Sequence, residues 1–305
     1  MRRIAVVMLF LLLLSACAAA PATPMIRLSE LQPLPAEASA QVVPLRVSVA
    51  SVVSPRGTVE SYKPLLDYLS ARLDRPVELV QRRTYAETNE LIGRGEVDLA
   101  FVCTSAYIGG RESFGMILLA APQVAGATSY RSLLLVPADS PARSMADLQG
   151  AVFAFTDPTS FSGRVYPTAL VQELATTPEQ FFQRIFYTYS HDNAINAVAD
   201  GLADAASVDS LVYDFAVARD PWLAERVRVI HRSPPFGIPP VVVGPDVRPQ
   251  LRAELQAILL GMADDTTPEA QAALQALGVE RFVSIDDRTY DSARAVVDTV
   301  GTLTP

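Results

Sequence analysis

Cysteine is almost missing from this chain of 305 residues, which holds only Cys17 and Cys103. No internal disulfide is expected, so stability must come from the core. Histidine is as scarce, with His191 and His231 alone, and no pair of histidines or cysteines stands at a metal-ligand spacing. A metal enzyme is therefore not expected. The sequence also has no Gly-x-Ser-x-Gly elbow, no Walker loop and no dinucleotide fingerprint, so nothing in it asks for catalysis or a cofactor. Basic residues are in deficit, 25 Lys and Arg against 33 Asp and Glu, for a formal net charge of −8. A chain of that sign lacks the basic face that nucleic acid or anionic lipid needs. A small anion is not excluded, because local N–H groups and hydroxyls hold it whatever the overall charge.

Long apolar runs are confined to the N-terminus. Met1-Arg2-Arg3 followed by Ile4 to Leu14 has the charged n-region and short apolar h-region of an export signal. Leu14-Ser15-Ala16-Cys17 resembles the lipobox of bacterial lipoproteins, where the cysteine is acylated and becomes the mature N-terminus. Residues 1–17 are then a lipoprotein signal peptide with Cys17 as the lipidation site; the alternative is an ordinary signal peptide cut after an alanine at 18–20. Residues 18–44, rich in Ala, Pro and Ser and without periodicity, are expected to be a tether. Acyl chains on Cys17 would hold the rest at a bacterial membrane, on its periplasmic or extracytoplasmic side.

From residue 45 onward, period-2 and fully apolar runs alternate with helical spacing. Arg46 to Val53 and Val77 to Val80 predict strands, Val59 to Leu73 a helix, Thr84-Tyr85-Ala86-Glu87 a capping box opening a second helix, and Val97 to Val102 a strand of the kind buried in parallel sheets. The pattern resumes with strands over Ser132 to Val136, Ala151 to Thr156, Ile185 to Tyr189, Ala205 to Val208 and Val227 to His231. Val241 to Val243 is expected to return to the first half. This predicts an α/β protein of two lobes, residues 45–131 with 240–305 and residues 132–239, joined by crossing segments near 129–136 and 235–244.

Two strand-to-helix junctions carry the chemistry. In Asp157-Pro158-Thr159-Ser160-Phe161-Ser162-Gly163, small and hydroxyl-bearing residues precede a helix expected near Arg164. The first N–H groups of that helix and the hydroxyls of Thr159, Ser160 and Ser162 are expected to converge on one anion, where the helix dipole is positive. Ser190-His191-Asp192-Asn193 repeats the arrangement before a helix expected at 194–201. Asp209 ends a strand and should face the same cleft. At about 3 Å and an effective dielectric near 20, a carboxylate and an oxyanion repel by roughly 5 kcal/mol, more than the about 1.5–3 kcal/mol a charged hydrogen bond returns. A proton must then lie between Asp209 and the anion.

These segments, together with Ser129-Tyr130-Arg131-Ser132-Leu133, Val97-Asp98-Leu99-Ala100-Phe101-Val102 before Cys103-Thr104-Ser105-Ala106-Tyr107, Ser233-Pro234-Pro235 and Val283-Ser284-Ile285-Asp286-Asp287, resemble the phosphate, phosphite and phosphonate substrate-binding proteins of ABC transporters. The resemblance spans roughly residues 45–290. It implies a type II periplasmic-binding-protein fold, capture of a small phosphorus oxyanion (phosphate, phosphite or alkylphosphonate) between the lobes, delivery to an ABC transporter permease, and a monomer that is not an enzyme. It further implies a clamp of Thr159, Ser160, Ser162 and Gly163, an anion-contacting His191, and cleft tyrosines at Tyr85, Tyr107 and Tyr130. Relatives often carry a hydroxyl where this chain has Phe161, which leaves only that residue's backbone N–H as a donor. Carboxylates that hold an amine-bearing phosphonate in relatives align with Leu211 and Pro239 here, so the pocket beside the clamp is expected to be apolar. Two alternatives share the fold: a sensing module feeding a signalling receptor, and a binder of a different small ligand.

Overall fold

The computed structural model describes residues 42–301. The signal peptide, Cys17 and all but the last residues of the tether lie outside the described residues. Among those described, no helix is long and apolar enough to cross a membrane.

In chain order the strands are β1 (Leu45–Val49), β2 (Val77–Val80), β3 (Leu99–Phe101), β4 (Ile117–Gln123), β5 (Ser129–Tyr130), β6 (Ser132–Pro137), β7 (Val152–Phe155), β8 (Arg184–Tyr187), β9 (Ala205–Asp209), β10 (Val227–Arg232), β11 (Phe236–Gly237), β12 (Val241–Val243) and β13 (Arg281–Val283). One sheet runs β13-β4-β12-β3-β1-β2 and the other β10-β6-β9-β7-β8. In the first, β1 pairs parallel with both β2 and β3, and β12 inserts antiparallel between β3 and β4. The return of Val241–Val243 is thus as expected from its apolar run. In the second, β7 lies parallel to both β8 and β9. The chain passes between the sheets twice, and the two passages pair as the short ladder β5–β11, with Phe236 opposite Tyr130 and Gly237 opposite Ser129.

Local chemistry explains most boundaries. At Thr84 the capping box forms in full: its hydroxyl accepts the Glu87 N–H at 3.2 Å, and the Glu87 carboxylate accepts the Thr84 N–H at 2.9 Å. Helices Pro55–Leu73, Pro178–Phe181, Pro249–Gly261 and Pro268–Leu277 all place proline in the first turn, where its missing N–H costs nothing. Strand β6 alternates as a strand with two covered faces must: Leu133 and Leu135 enter one core, Leu134 and Val136 the other. A further cluster joins Tyr85, Cys103 and Tyr107 beside the first sheet to Phe161 and Val165 beside the second, with Phe236 and Tyr290. That shared cluster brings the two sheets' loop ends together.

Three of the boundaries that differ from the sequence expectation do so for reasons that bear on the site. The first strand stops at Val49 rather than Val53, and the turn that follows places Val52 and Ser54 against the helix head at 191. That helix starts at His191, not 194, because the Ser190 hydroxyl caps it by accepting the Asn193 N–H at 3.4 Å. The helix expected near Arg164 opens as a π-helical turn, Phe161–Val165, before the α-helix Tyr166–Gln172. Wide turns of this kind recur at functional sites.

Candidate functional site: a cage of hydroxyls between two sheets

The loop after β7 is organised by Asp157. One carboxylate oxygen accepts both the N–H and the hydroxyl of Thr159 at 2.8 Å, and the other accepts the Tyr85 N–H, from the opposite sheet's helix Tyr85–Gly93, at 3.0 Å. Burial raises this carboxyl's pKa, and the hydrogen bonds it receives oppose that shift. Across the same seam the Ser105 hydroxyl donates to the Thr159 carbonyl, and the Phe161 N–H donates to the Cys103 sulfur at 3.4 Å. The Gly163 N–H donates to the Ser160 hydroxyl oxygen at 3.1 Å.

These bonds change the expected clamp. The Thr159 amide and hydroxyl are taken by Asp157, the Phe161 amide by Cys103 and the Gly163 amide by Ser160, so these donors are used inside the protein. The physical reason is general: amides at a helix head have no intrahelical acceptor and seek one nearby, and here Asp157 and Ser160 of the same loop and Cys103 from the opposing sheet's side supply it. Tyr107 also departs from expectation. Its hydroxyl donates to Asp287 at 2.6 Å, in a network where Arg294 and Arg111 approach the same carboxylate at 2.7 and 3.3 Å. Its ring packs on Tyr290, 4.8 Å between centroids. The Phe161 ring is fully buried against Phe236.

What remains unpartnered is a set of side chains. The hydroxyls of Tyr85, Tyr130, Ser162 and Thr156 are buried and have no hydrogen-bond partner in the protein. The Ser160 hydroxyl lies beside the Tyr85 hydroxyl, and those of Thr104 and Ser162 beside that of Tyr130, but none of these pairs has the geometry of a hydrogen bond. Thr156 backs this group through Gly163: a Cβ at that glycine would fall 1.8 Å from the Thr156 Oγ1, so no other residue fits without moving the turn. An unpartnered buried polar group costs about 1–3 kcal/mol, and several in one place call for an explanation outside the protein's own bonding.

His191 adds a donor of fixed direction. Its backbone N–H reaches the Val52 carbonyl at 2.8 Å, and its ring Nδ1 accepts the Asp209 backbone N–H at 3.0 Å. Acceptance at Nδ1 assigns the proton of the neutral ring to Nε2, which lies 3.5 Å from the Ser160 hydroxyl oxygen. Complete burial keeps the ring neutral, with its pKa lowered to about 3. Asp209 is buried beside it. One of its oxygens accepts the Leu211 N–H at 2.7 Å, and burial pushes its pKa up to about 7. Its charge also raises the pKa values of the Tyr85 and Tyr130 hydroxyls, which burial raises first. The arrangement is a small cage of O–H and N–H donors facing one carboxyl that is easily protonated, a chemistry suited to a compact oxyanion carrying or sharing one proton.

Sequence reasoning singled out Tyr85, Tyr130, Ser160, Ser162, Gly163, His191 and Asp209, and the fold gathers all of them. It missed Thr156, the cross-sheet role of Asp157, and Asp192, whose carboxylate accepts the Ser54 N–H at 2.9 Å. Asp157 and Asp192 both stand in the junctions already noted, each just before or within a helix start, and that position was the available signal. Cys103 is a small packed residue: it is buried, and burial raises its thiol pKa.

Two α/β sheets with a polar cage at their facing loop ends define a two-lobe type II periplasmic-binding-protein fold. Residues 47–290 match the family described as ABC transporter, phosphonate, periplasmic substrate-binding protein, and the chain belongs to that family. The phosphate-import protein PhnD of Mycolicibacterium smegmatis is 25% identical over 287 residues, covering 88% of this chain and 89% of that protein. Among solved structures, a binding protein component of an ABC phosphonate transporter from Pseudomonas aeruginosa superposes with a TM-score of 0.77 at 22% identity, over 83% of this chain and 84% of that one. PhnD1 of Prochlorococcus marinus, solved in complex with methylphosphonate, gives a TM-score of 0.76 at 17% identity, over 84% and 97%. The chain is thus a periplasmic, extracytoplasmic substrate-binding component of an ABC transporter, of a family whose members are not enzymes.

Proposed function

We propose that this chain captures a phosphonate, phosphite or phosphate monoanion in the cage and hands it to an ABC permease, and that residues 45–131 with 240–305 and residues 132–239 are the two lobes that close on it. The membership of the two sheets supports this division: every strand of each sheet falls within one of the two sets. The observation that carries the ligand class is the set of buried hydroxyls without protein partners at Tyr85, Tyr130 and Ser162, gathered with the Nε2–H of His191 around Asp209. The ligand-binding residues on this proposal are Tyr85, Tyr130, Ser160, Ser162, His191 and Asp209, with Gly163 allowing the close approach of Thr156. About five hydrogen bonds to a charged group, at about 1.5–3 kcal/mol each, less several kcal/mol for association and closure, support micromolar binding or tighter. Lipidation at Cys17 would keep the capture step beside the permease.

Calorimetry with phosphate, phosphite, methylphosphonate, 2-aminoethylphosphonate and sulfate tests the ligand class. Phosphorus oxyanions should bind; sulfate has no proton of its own, so at pH 8, where Asp209 is ionised, it should not. Ser160→Ala with Ser162→Ala should weaken methylphosphonate by at least about 2 kcal/mol; unchanged affinity in that double variant would move the site elsewhere.

A further inference from the structure

Beside the cage a partly open cleft of about 290 Å³ lies between the two sheets. Val53 and Phe101 line it from the first sheet's side, Leu211 and Phe215 from the helix Ser210–Arg219, and Pro239 and Ala276 complete the wall. Two carboxylates border it. Asp214 is exposed, at the rim; Asp209 is buried and belongs to the cage as well. The junction between the two spaces is defined on three sides. Asp209 and Leu211 follow one another at the head of one helix, Val102 lines the cavity while the adjoining Cys103 holds the Phe161 N–H, and Val52 lines the cavity while its carbonyl holds the His191 N–H. A group bonded to an anion in the cage and directed past Asp209 therefore enters an apolar chamber.

The chamber is large for that purpose. An apolar cavity of about 150 Å³ already accommodates benzene, and this one has about twice that volume. A hydrogen or a methyl group on phosphorus leaves most of it unused. No lysine or arginine lines it, and its only carboxylates are Asp209, shared with the cage, and the exposed Asp214.

We infer that the physiological ligand is an organophosphonate or phosphate monoester with a bulky apolar substituent, an alkyl group of about four carbons or an aryl ring, whose anionic head occupies the cage and whose tail fills this chamber. The inference rests on the proposed function, since it uses the same cage for the head group. Apolar burial gives about fourfold in affinity for each methylene, so the tail sets the preference among phosphorus compounds that the cage alone holds alike.

Titrating the full mature chain with methyl-, propyl-, butyl- and phenylphosphonate and with 2-aminoethylphosphonate tests it. Affinity should rise about fourfold per added carbon up to butyl, with phenyl among the tightest and 2-aminoethyl no better than methyl. Ala276→Phe, which fills the chamber away from the cage, should cancel the gain with chain length while leaving methylphosphonate within about twofold. Leu211→Asp provides a second variant with a different lesion, and should turn the preference from propyl toward 2-aminoethyl. If methylphosphonate binds but affinity is flat from methyl to butyl, or if the gain survives Ala276→Phe, the chamber does not hold the tail and only this inference falls. If no phosphorus compound binds, the proposed function falls with it.

Discussion

Tyr85 and Tyr130 on one side, and Tyr107 on the other, are all buried, yet only Tyr107 uses its hydroxyl within the protein. At Tyr107 the bond to Asp287 belongs to the folded chain, reinforced by Arg111 and Arg294. At Tyr85 and Tyr130 burial of the hydroxyl costs the fold free energy and returns nothing until something outside the chain accepts the proton. On the proposed function, the difference separates residues that stabilise the protein from residues held in readiness for the ligand. It also gives stability and affinity opposite dependences on the same chemical change, the removal of one oxygen.

The largest expected effect exploits that opposition. Tyr85→Phe combined with Tyr130→Phe should weaken methylphosphonate about a hundredfold or more, at about 1.5–3 kcal/mol for each lost bond to a charged ligand, while the unliganded protein becomes no less stable. Tyr107→Phe should do the reverse, lowering stability by about 1–2 kcal/mol and leaving affinity nearly unchanged. Calorimetric titration and urea unfolding of the two variants measure both quantities. A loss of stability in the double variant with affinity intact would dissolve the distinction.

A smaller effect sharpens the comparison on the acceptor side. Asp209 faces the cage with its pKa raised to about 7 by burial, so it accepts from or donates to an oxyanion according to pH. Below that value it is protonated and donates; above it the carboxylate repels the ligand. Methylphosphonate affinity should therefore fall about tenfold from acidic pH to pH 8, one proton being lost above pH 7. Asp209→Asn keeps an acceptor for the Leu211 N–H and should hold its affinity at pH 8. Because the ligand's own titration is common to both proteins, the difference between the two pH profiles isolates Asp209. Parallel profiles would remove the proton from this carboxyl.

Much of this site could be read from residue order. The strand-then-hydroxyl junctions at 157–163 and 190–193, the strand-ending Asp209 and the apolar return of 241–243 were visible because strand, cap and turn chemistry is local. Two things were hidden. The first was which donors stay free: Thr159 and Ser162 look alike in sequence, and only the approach of Asp157 to Thr159 consumes one and spares the other. The second was helix Thr104–Phe114, where Gly109-Gly110 argues against a helix. Gly110 is explained by tertiary packing, since a Cβ there would lie 2.4 Å from the Met116 Cε. Both contacts are short in sequence, two and six residues apart, but side-chain placement decides them, and residue order alone does not fix that placement.

The smallest expected effect concerns the two titrating groups that hold each other in place. His191 accepts the Asp209 N–H, and burial moves the two in opposite directions, His191 down to about 3 and Asp209 up to about 7. Between about pH 3 and 6.5 the unfolded chain takes a proton that folded His191 refuses, so stability rises with pH; between about pH 4 and 7 folded Asp209 keeps a proton that the unfolded chain releases, so stability falls. Over their shared window the two trends offset, and the wild-type protein should vary little between pH 4.5 and 6.5. His191→Asn retains an acceptor for the Asp209 N–H but removes the rising trend. Its unfolding free energy from urea titration should then decline as pH increases across that range, by less than about 1.4 kcal/mol per pH unit. Equal slopes in the two proteins would mean that His191 does not stay neutral inside the fold, and the direction assigned to its Nε2–H would lose its basis.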